Sequence, residues 1–220
     1  MTSHSKGSLT LLIEAHQTAL VDSARDYIGA SGIGSDCLRQ IWYEYRGTEG
    51  APGLPKYKRA RDIGKRLEGL VLDWLEDAGL AIVRGHADLS SLALPAFKGH
   101  LDAIMVSEYG AKAIIEIKTA KDSNFKLFIK SGIKAWNPQY YAQAQSYMGM
   151  SGIHKTYFVV LNKDSSDIMD ERIDFDADFY KTLEEKAIMI ASATSEPPRV
   201  SGSPLWYKCK LCKFNKVCHG

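Results

Sequence analysis

The chain has 220 residues, 45% hydrophobic and 25% charged, with a formal net charge of +2 at pH 7. That composition excludes a disordered, collagen-like or disulfide-scaffold chain, and the length supports one sizeable core, with residues 1–220 expected to form a single domain. So small a net charge does not by itself announce a nucleic-acid partner, yet it conceals a cluster: KYKRARDIGKR, residues 56–66, sets six cations against one aspartate. A solvated helix face is the ordinary alternative for such a run. No signal peptide or membrane span is expected, because the first apolar stretch, LTLLIEA, is short, contains Glu14 and precedes His16. The expected location is the cytoplasm, with no membrane association. In a reducing compartment the four cysteines read better as metal or cluster ligands than as disulfides.

Residues 1–8 read as a loose tail. Ser35 or Asp36 offers an N-cap to a short helix containing Cys37 and ending at Gly47. TEGAPGLP is a loop on its Gly and Pro content. RDIGKRLEGLVLDWLEDAGL then has the strongest helical pattern in the chain, with Ile63, Leu67, Leu70, Val71, Trp74 and Leu75 on one apolar face and Gly79 as its stop. LAIVRGHADLS reads as a strand with a turn, and LPAFKGHLDAIMVSEYGAKAIIEIKTA as a hairpin turning at 108–110. A basic linker, a helix over 138–148 and a buried strand, TYFVVLNK, follow. A short strand and a long helix in ERIDFDADFYKTLEEKAIMIASA lead through SEPPRVSGSP to a cysteine tail at 204–220.

Charges inside the apolar runs carry the chemical signal. Side chains alternate along a strand, so Glu116 and Lys118 share one face. A hairpin in natural register delivers Asp102 to that face as well. Two close carboxylates repel unless a cation lies between them, and an isolated buried charge is costly. A divalent metal resolves both, and hard carboxylate oxygens suit Mg²⁺ or Mn²⁺. A same-face salt bridge at a sheet edge is the ordinary alternative for E-x-K. On the preceding helix Glu68 falls at the margin of the apolar stripe, one turn after Gly64, whose missing side chain permits close approach to a sheet. On the later helix Gln139, Gln143 and Tyr147 follow one line.

GKRLEG, GHLDAI, IIEIKTA and QAQSY, in that order, together resemble the PD-(D/E)XK nuclease superfamily in its RecB-like exonuclease branch. No proline precedes Asp102, and Glu68 stands where many members have histidine; glutamate is chemically the better partner for Mg²⁺. Cys209, Cys212 and Cys218 form C-x₂-C-x₅-C, with Cys37 far upstream. One upstream and three downstream cysteines around such a core look like the iron-sulfur nucleases: AddB-type subunits, CRISPR-associated adaptation exonucleases and their phage relatives.

The resemblance implies an α/β, restriction-endonuclease-like core, a central mixed sheet flanked by helices, with a C-terminal cluster-binding tail joined to Cys37. Glu68, Asp102, Glu116 and the Ile117 carbonyl would ligate Mg²⁺ or Mn²⁺, Lys118 would act on the attacking water or the phosphate, and Gln143 and Tyr147 would position site and strand. Four thiolates suit a 4Fe-4S cluster, and the same spacing admits structural Zn²⁺, with His219 able to replace one cysteine. The basic residues Lys56, Lys58, Arg59, Arg61, Lys65, Arg66 and Lys121, with Lys126, Lys130 and Lys134, would contact phosphates. Tyr57 and Phe125 are candidate stacking platforms, His100 a candidate neighbour of the site or a satisfied strand-end histidine, and His86 has no role. The expected activity is exonucleolytic DNA hydrolysis in recombination, end processing or phage DNA metabolism. DNA trimming beside an integrase in CRISPR adaptation and a silent DNA-binding scaffold are the alternatives, with recombination or adaptation proteins as partners.

Overall fold

A nine-residue strand, KAIIEIKTA, forms the centre of the chain's larger sheet. In the computed structural model, which describes residues 7–20, 25–85 and 88–220, its Ala113, Ile114, Ile115, Glu116 and Ile117 are all buried. A strand covered on both faces reads as a near-continuous apolar run.

In chain order the elements begin with helix α1 (Ser8–Ala19), strand β1 (Ile28–Gly29), α2 (Ala30–Ile33), α3 (Leu38–Tyr45) and the long α4 (Pro55–Asp77). Strands β2 (Ala81–Arg84), β3 (Asp88–Ser90), β4 (Phe97–His100), β5 (Ala103–Val106) and β6 (Lys112–Ala120) follow. Then come α5 (Asp122–Trp136), α6 (Pro138–Ser151), β7 (Lys155–Asn162), β8 (Ile168–Asp174), α7 (Ala177–Ser192), α8 (Tyr207–Leu211) and α9 (Asn215–His219). One sheet has the order β2-β5-β6-β7-β8 and the other β1-β4-β3. Only β6 and β7 pair in parallel in the larger sheet, Glu116 facing Phe158 and Lys118 facing Val160. A parallel pair needs a crossover, which α5 and α6 supply.

The alternation of β6 divides the core in two. Ile115 and Ile117 join Val71 and Leu72 of α4, Ala103, Val159 and Leu161. Ile114 and Ala120 join Phe128, Ala144, Met148, Phe158 and Val160 on the opposite side. There Phe158 lies among Phe128, Trp136 and Tyr140, with ring centroids 5.9–6.4 Å away. The start of α6 is set locally: Pro138 occupies the first turn, and the Asn137 side chain accepts from the Gln139 and Tyr140 N–H groups.

Several expectations need correction. Residues 1–6 of the expected tail lie outside the described residues, but Ser8 already begins α1, whose Leu9, Leu11, Leu12 and Ile13 are exposed. Cys37 is the N-cap residue of α3 rather than part of it, and the Ser35 hydroxyl accepts from its N–H. The apolar face of α4 is Leu67, Val71, Leu72 and Leu75, whereas Ile63, Leu70 and Trp74 are exposed. Sequence periodicity marks a stripe wider than the sheet that covers it. Gly79 does follow the helix with φ +91°, a conformation only glycine adopts freely. LAIVRGHADLS makes two strands that belong to different sheets, and His86 lies outside the described residues. The basic linker is helix α5, broken at Gly132 (φ 69°), where Glu171 accepts from the Ile133 N–H at 2.8 Å. Among the described residues no helix is long and apolar enough to cross a membrane.

Phe158 is fully buried between α5, α6 and the sheet. Phe158→Ala is expected to destabilise the fold by about 3–5 kcal/mol, read as a lower urea midpoint of unfolding.

Candidate active site

The pairing of β5 with β6 stops at Ala103–Ile115, although β6 runs on to Ala120. Asp102 therefore lies outside both strands, in the break between β4 and β5, rather than within a strand as its apolar neighbours suggest. Its Oδ2 accepts the Ile117 N–H at 3.0 Å, replacing the ladder partner that β5 no longer offers. This bond sets the Asp102 carboxylate beside Glu116 and Lys118.

Glu116 is only 1% exposed. Its Oε1 accepts from the Lys118 ammonium, and its Oε2 has no protein partner among the described residues. Burial pushes the Glu116 carboxyl up to about 8, Lys118 opposing and Asp102 and Glu68 adding to the shift. Glu68 arrives from α4. Burial and then the Asp102 carboxylate push it up to about 7 against the pull of Lys118, a hydrogen bond to Asp102 adding to the rise. Burial draws the Lys118 ammonium down, but Glu116 and Asp102 outweigh it and hold its pKa above the ordinary lysine range. Three carboxylates thus crowd one ammonium in a half-dry notch, an arrangement short of positive charge.

Helix α6 closes the notch. Gln143 Nε2 donates to Tyr147 Oη at 2.7 Å, both side chains being buried. Burial, and then Glu116, raise the Tyr147 phenol above its ordinary value. Tyr140, absent from the sequence expectation, lies with its ring centroid 5.2 Å from Lys118 Nζ. It stands seven residues before Tyr147 and so on the same helical line, a signal the spacing carries. At Gly64 an added Cβ would meet Thr119 Oγ1 at 3.7 Å, ordinary contact, so the expected close approach does not require glycine there. Gln139 lies apart from the notch, its Nε2 donating to the Ser31 carbonyl at 2.7 Å.

The basic residues divide. Lys56, Lys65, Arg66, Lys121, Lys130 and Lys134 are exposed, as is Arg61. Lys65 is close enough to Glu68 to lower its pKa. Lys58 does not fit the expected phosphate contact: it is 5% exposed, and its ammonium donates to the Gln17 and Leu20 carbonyls at the end of α1. Arg59 pairs with Glu14 at 3.8 Å and with Gln17 Oε1 at 2.9 Å. Lys126 pairs with Asp122. Phe125 is a core residue rather than an open stacking platform, whereas Tyr57 is exposed. His100 is satisfied by Asp88, Nδ1 lying 2.8 Å from Oδ1.

The chain's two ends meet elsewhere. Cys37, Cys209, Cys212 and Cys218 line a common cavity of about 40 Å³, together with His219. All four are free thiols, and burial raises Cys209 and Cys212, with the neighbouring thiols adding to it. Among the described residues no three His, Cys, Asp or Glu side chains converge, as they stand, closely enough to hold a metal ion. The donor sets nonetheless suit one: hard oxygens with an orphaned buried Glu116 Oε2 in the notch, and soft thiols in the cavity.

No family model and no curated protein matches the chain. Its fold does have solved counterparts. The alkaline exonuclease LHK-Exo from Laribacter hongkongensis is 16% identical with a TM-score of 0.58, the match covering 83% of this chain and 91% of that one. The protein SSO0001 is 18% identical with a TM-score of 0.58 over 96% of each chain. A phage-related exonuclease from Haemophilus somnus 129PT is 12% identical with a TM-score of 0.54 over 74% of this chain and 91% of that one. The chain thus has the expected restriction-endonuclease-like α/β core.

In chelator-treated protein the notch should make stability depend on pH. Glu68 and Glu116 keep their protons in the folded state to about 7 and about 8, whereas the ordinary value is 4.5. Between these values the native state binds more protons, so stability is greatest below about pH 4.5 and falls as pH rises through 8 for these groups. Glu116→Gln is expected to flatten the upper part of that slope in thermal melts.

Proposed function

We propose that the chain is a Mg²⁺- or Mn²⁺-dependent exonuclease that hydrolyses DNA phosphodiesters. The observation carrying this reading is the notch itself, where Glu68, Asp102 and Glu116 crowd Lys118 and Glu116 Oε2 has no partner among the described residues. The likeness of the fold to exonucleases, one of them solved with dAMP at 17% identity and a TM-score of 0.60, supports the substrate class.

In this reading Glu68, Asp102, Glu116 and the Ile117 carbonyl hold the cation, which when bound supplies Lewis-acid polarisation of the scissile phosphate and acidifies an attacking water. Lys118, fixed by Glu116 and by the face of Tyr140, orients that water and offsets charge growing on phosphorus. Gln143 and Tyr147 hold the wall behind Glu116 and position the strand. Exposed Lys56, Lys65, Arg66 and Lys121 contact the backbone without reading sequence.

The same proposal treats the chain as one nuclease unit in which Cys37, Cys209, Cys212 and Cys218 hold a structural 4Fe-4S cluster, with Zn²⁺ as the competing occupant. The cavity shared by all four supports this assignment. Such a group clips the end of the chain to its beginning and takes no part in hydrolysis.

Lys118→Ala should abolish metal-dependent cleavage while leaving DNA binding nearly intact, and continued cutting by that variant would remove the mechanism. Comparing 5′-blocked, 3′-blocked and circular DNA in Mg²⁺ or Mn²⁺ tests the need for an end: circular DNA should persist. Anaerobically purified protein should be brown and contain iron and sulfide; a colourless protein with stoichiometric zinc would reverse the choice of cysteine-bound group.

A further inference from the structure

Burial alternates residue by residue through the segment that delivers Asp102. Phe97, Gly99 and Leu101 are buried, whereas Lys98, His100 and Asp102 are not. Alternate residues of a strand share a face, so Lys98 and His100 of β4 form a row roughly 6.6 Å apart, and Asp102 follows two residues later at the bend where the chain leaves the small sheet. The row's orientation is enforced from behind: a Cβ on Gly99 would lie 2.5 Å from Tyr147 Cε1, so this buried face is pressed against α6.

Tyr27, just before β1, stands beside the row, because β1 pairs with β4 through Ile28–Phe97 and Gly29–Lys98. Lys98 Nζ and the Arg25 guanidinium each lie 5.7 Å from the centroid of the Tyr27 ring. The His100 ring meets Tyr27 edge-on at 6.0 Å, with Tyr27 Oη 3.4 Å from Nε2. Across the sheet Asp88 fixes the other imidazole nitrogen at 2.8 Å. One aromatic ring thus organises two cations and an imidazole on a ledge that ends two residues before Asp102.

A ledge of this kind has no part in the core, and its two cations, Lys98 and Arg25, outnumber its one carboxylate, Asp88, close in sequence to the carboxylate notch. Such a surface suits an anionic chain that extends away from the reacting phosphate. We infer that the ledge binds the sugar-phosphate backbone beside the scissile bond, Lys98 and Arg25 each meeting a phosphate while His100, held by Asp88, fixes the Tyr27 ring between them. The inference rests on the nuclease reading and extends it to the path of the strand. Backbone contacts of this sort set register without reading sequence.

The test uses equilibrium binding of a short labelled single-stranded oligonucleotide, in a Lys118→Ala background so that nothing is cut. Adding Arg25→Ala and Lys98→Ala should weaken affinity on the order of tenfold and flatten the dependence of log K on log salt by roughly 1.4, two single-strand phosphate contacts being lost. Lys98→Arg should keep both quantities near their starting values. Unchanged affinity and slope in the alanine variant, or an equal loss with Lys98→Arg, would overturn the ledge. If the unaltered protein cuts DNA while the ledge variants bind as tightly, the ledge fails and the nuclease reading stands. If the ledge variants lose affinity although the unaltered protein cuts nothing, the ledge stands and the nuclease reading fails.

Discussion

One hydrogen bond, from the Ile117 N–H to Asp102 Oδ2, ties the candidate chemistry to the fold. Where β5 parts from β6, a buried backbone donor loses its ladder partner, and leaving it unsatisfied would cost on the order of 1–3 kcal/mol. Asp102 fills that need with one oxygen. The same step carries the chain out of the small sheet and into the large one, so ending the pairing and delivering the carboxylate are a single structural event. Glu116 and Lys118 are already there on β6, and Glu68 comes in from the helix lying over the opposite sheet face.

The Lys118 ammonium and the protons that Glu68 and Glu116 retain relieve part of this crowding, and rigid elements hold the groups together. Behind it, Gly99 lets β4 lie directly against Tyr147, Tyr147 is tied to Gln143, and the ring cluster around Phe158 fixes α5 and α6 on the sheet. The Lys118 ammonium pairs with Glu116 while lying over Tyr140. The notch is therefore short of positive charge, and the proposed divalent ion would relieve that deficit. The cations along β4 lie a few residues from this notch, Lys98 and Arg25 flanking the Tyr27 ring.

The cysteine cavity is supported independently of any sulfur ligand. Lys208 pairs with Asp36 at 2.7 Å, the Ala51 N–H donates to the Lys213 carbonyl at 2.7 Å, and the Tyr43 and Phe214 rings lie 5.2 Å apart. Trp42 and Arg46 donate to the Ala193 carbonyl at 3.0 and 2.7 Å, binding α3 to the segment after α7. These contacts bring residues far apart in sequence around four thiols, so the separation of Cys37 from Cys209 is a matter of chain path rather than of distance in space.

The amino-acid sequence by itself determined the elements whose pattern is local: the long helix with Glu68, the β6 strand with Glu116 and Lys118 on one face, the Gln143–Tyr147 line and the buried strand β7. These follow from side-chain periodicities of 3.6 and 2, which need no partner to be read. Only the tertiary structure decided that Asp102 lies in a strand break, that Lys58 is consumed by the end of α1, that Phe125 belongs to the core, and that Tyr27, Lys98 and His100 come together. Each of these depends on which segment covers which. A charged residue looks the same in sequence whether its partner is solvent, a helix terminus or a neighbouring carboxylate; long-range packing, which periodicity does not encode, makes the difference.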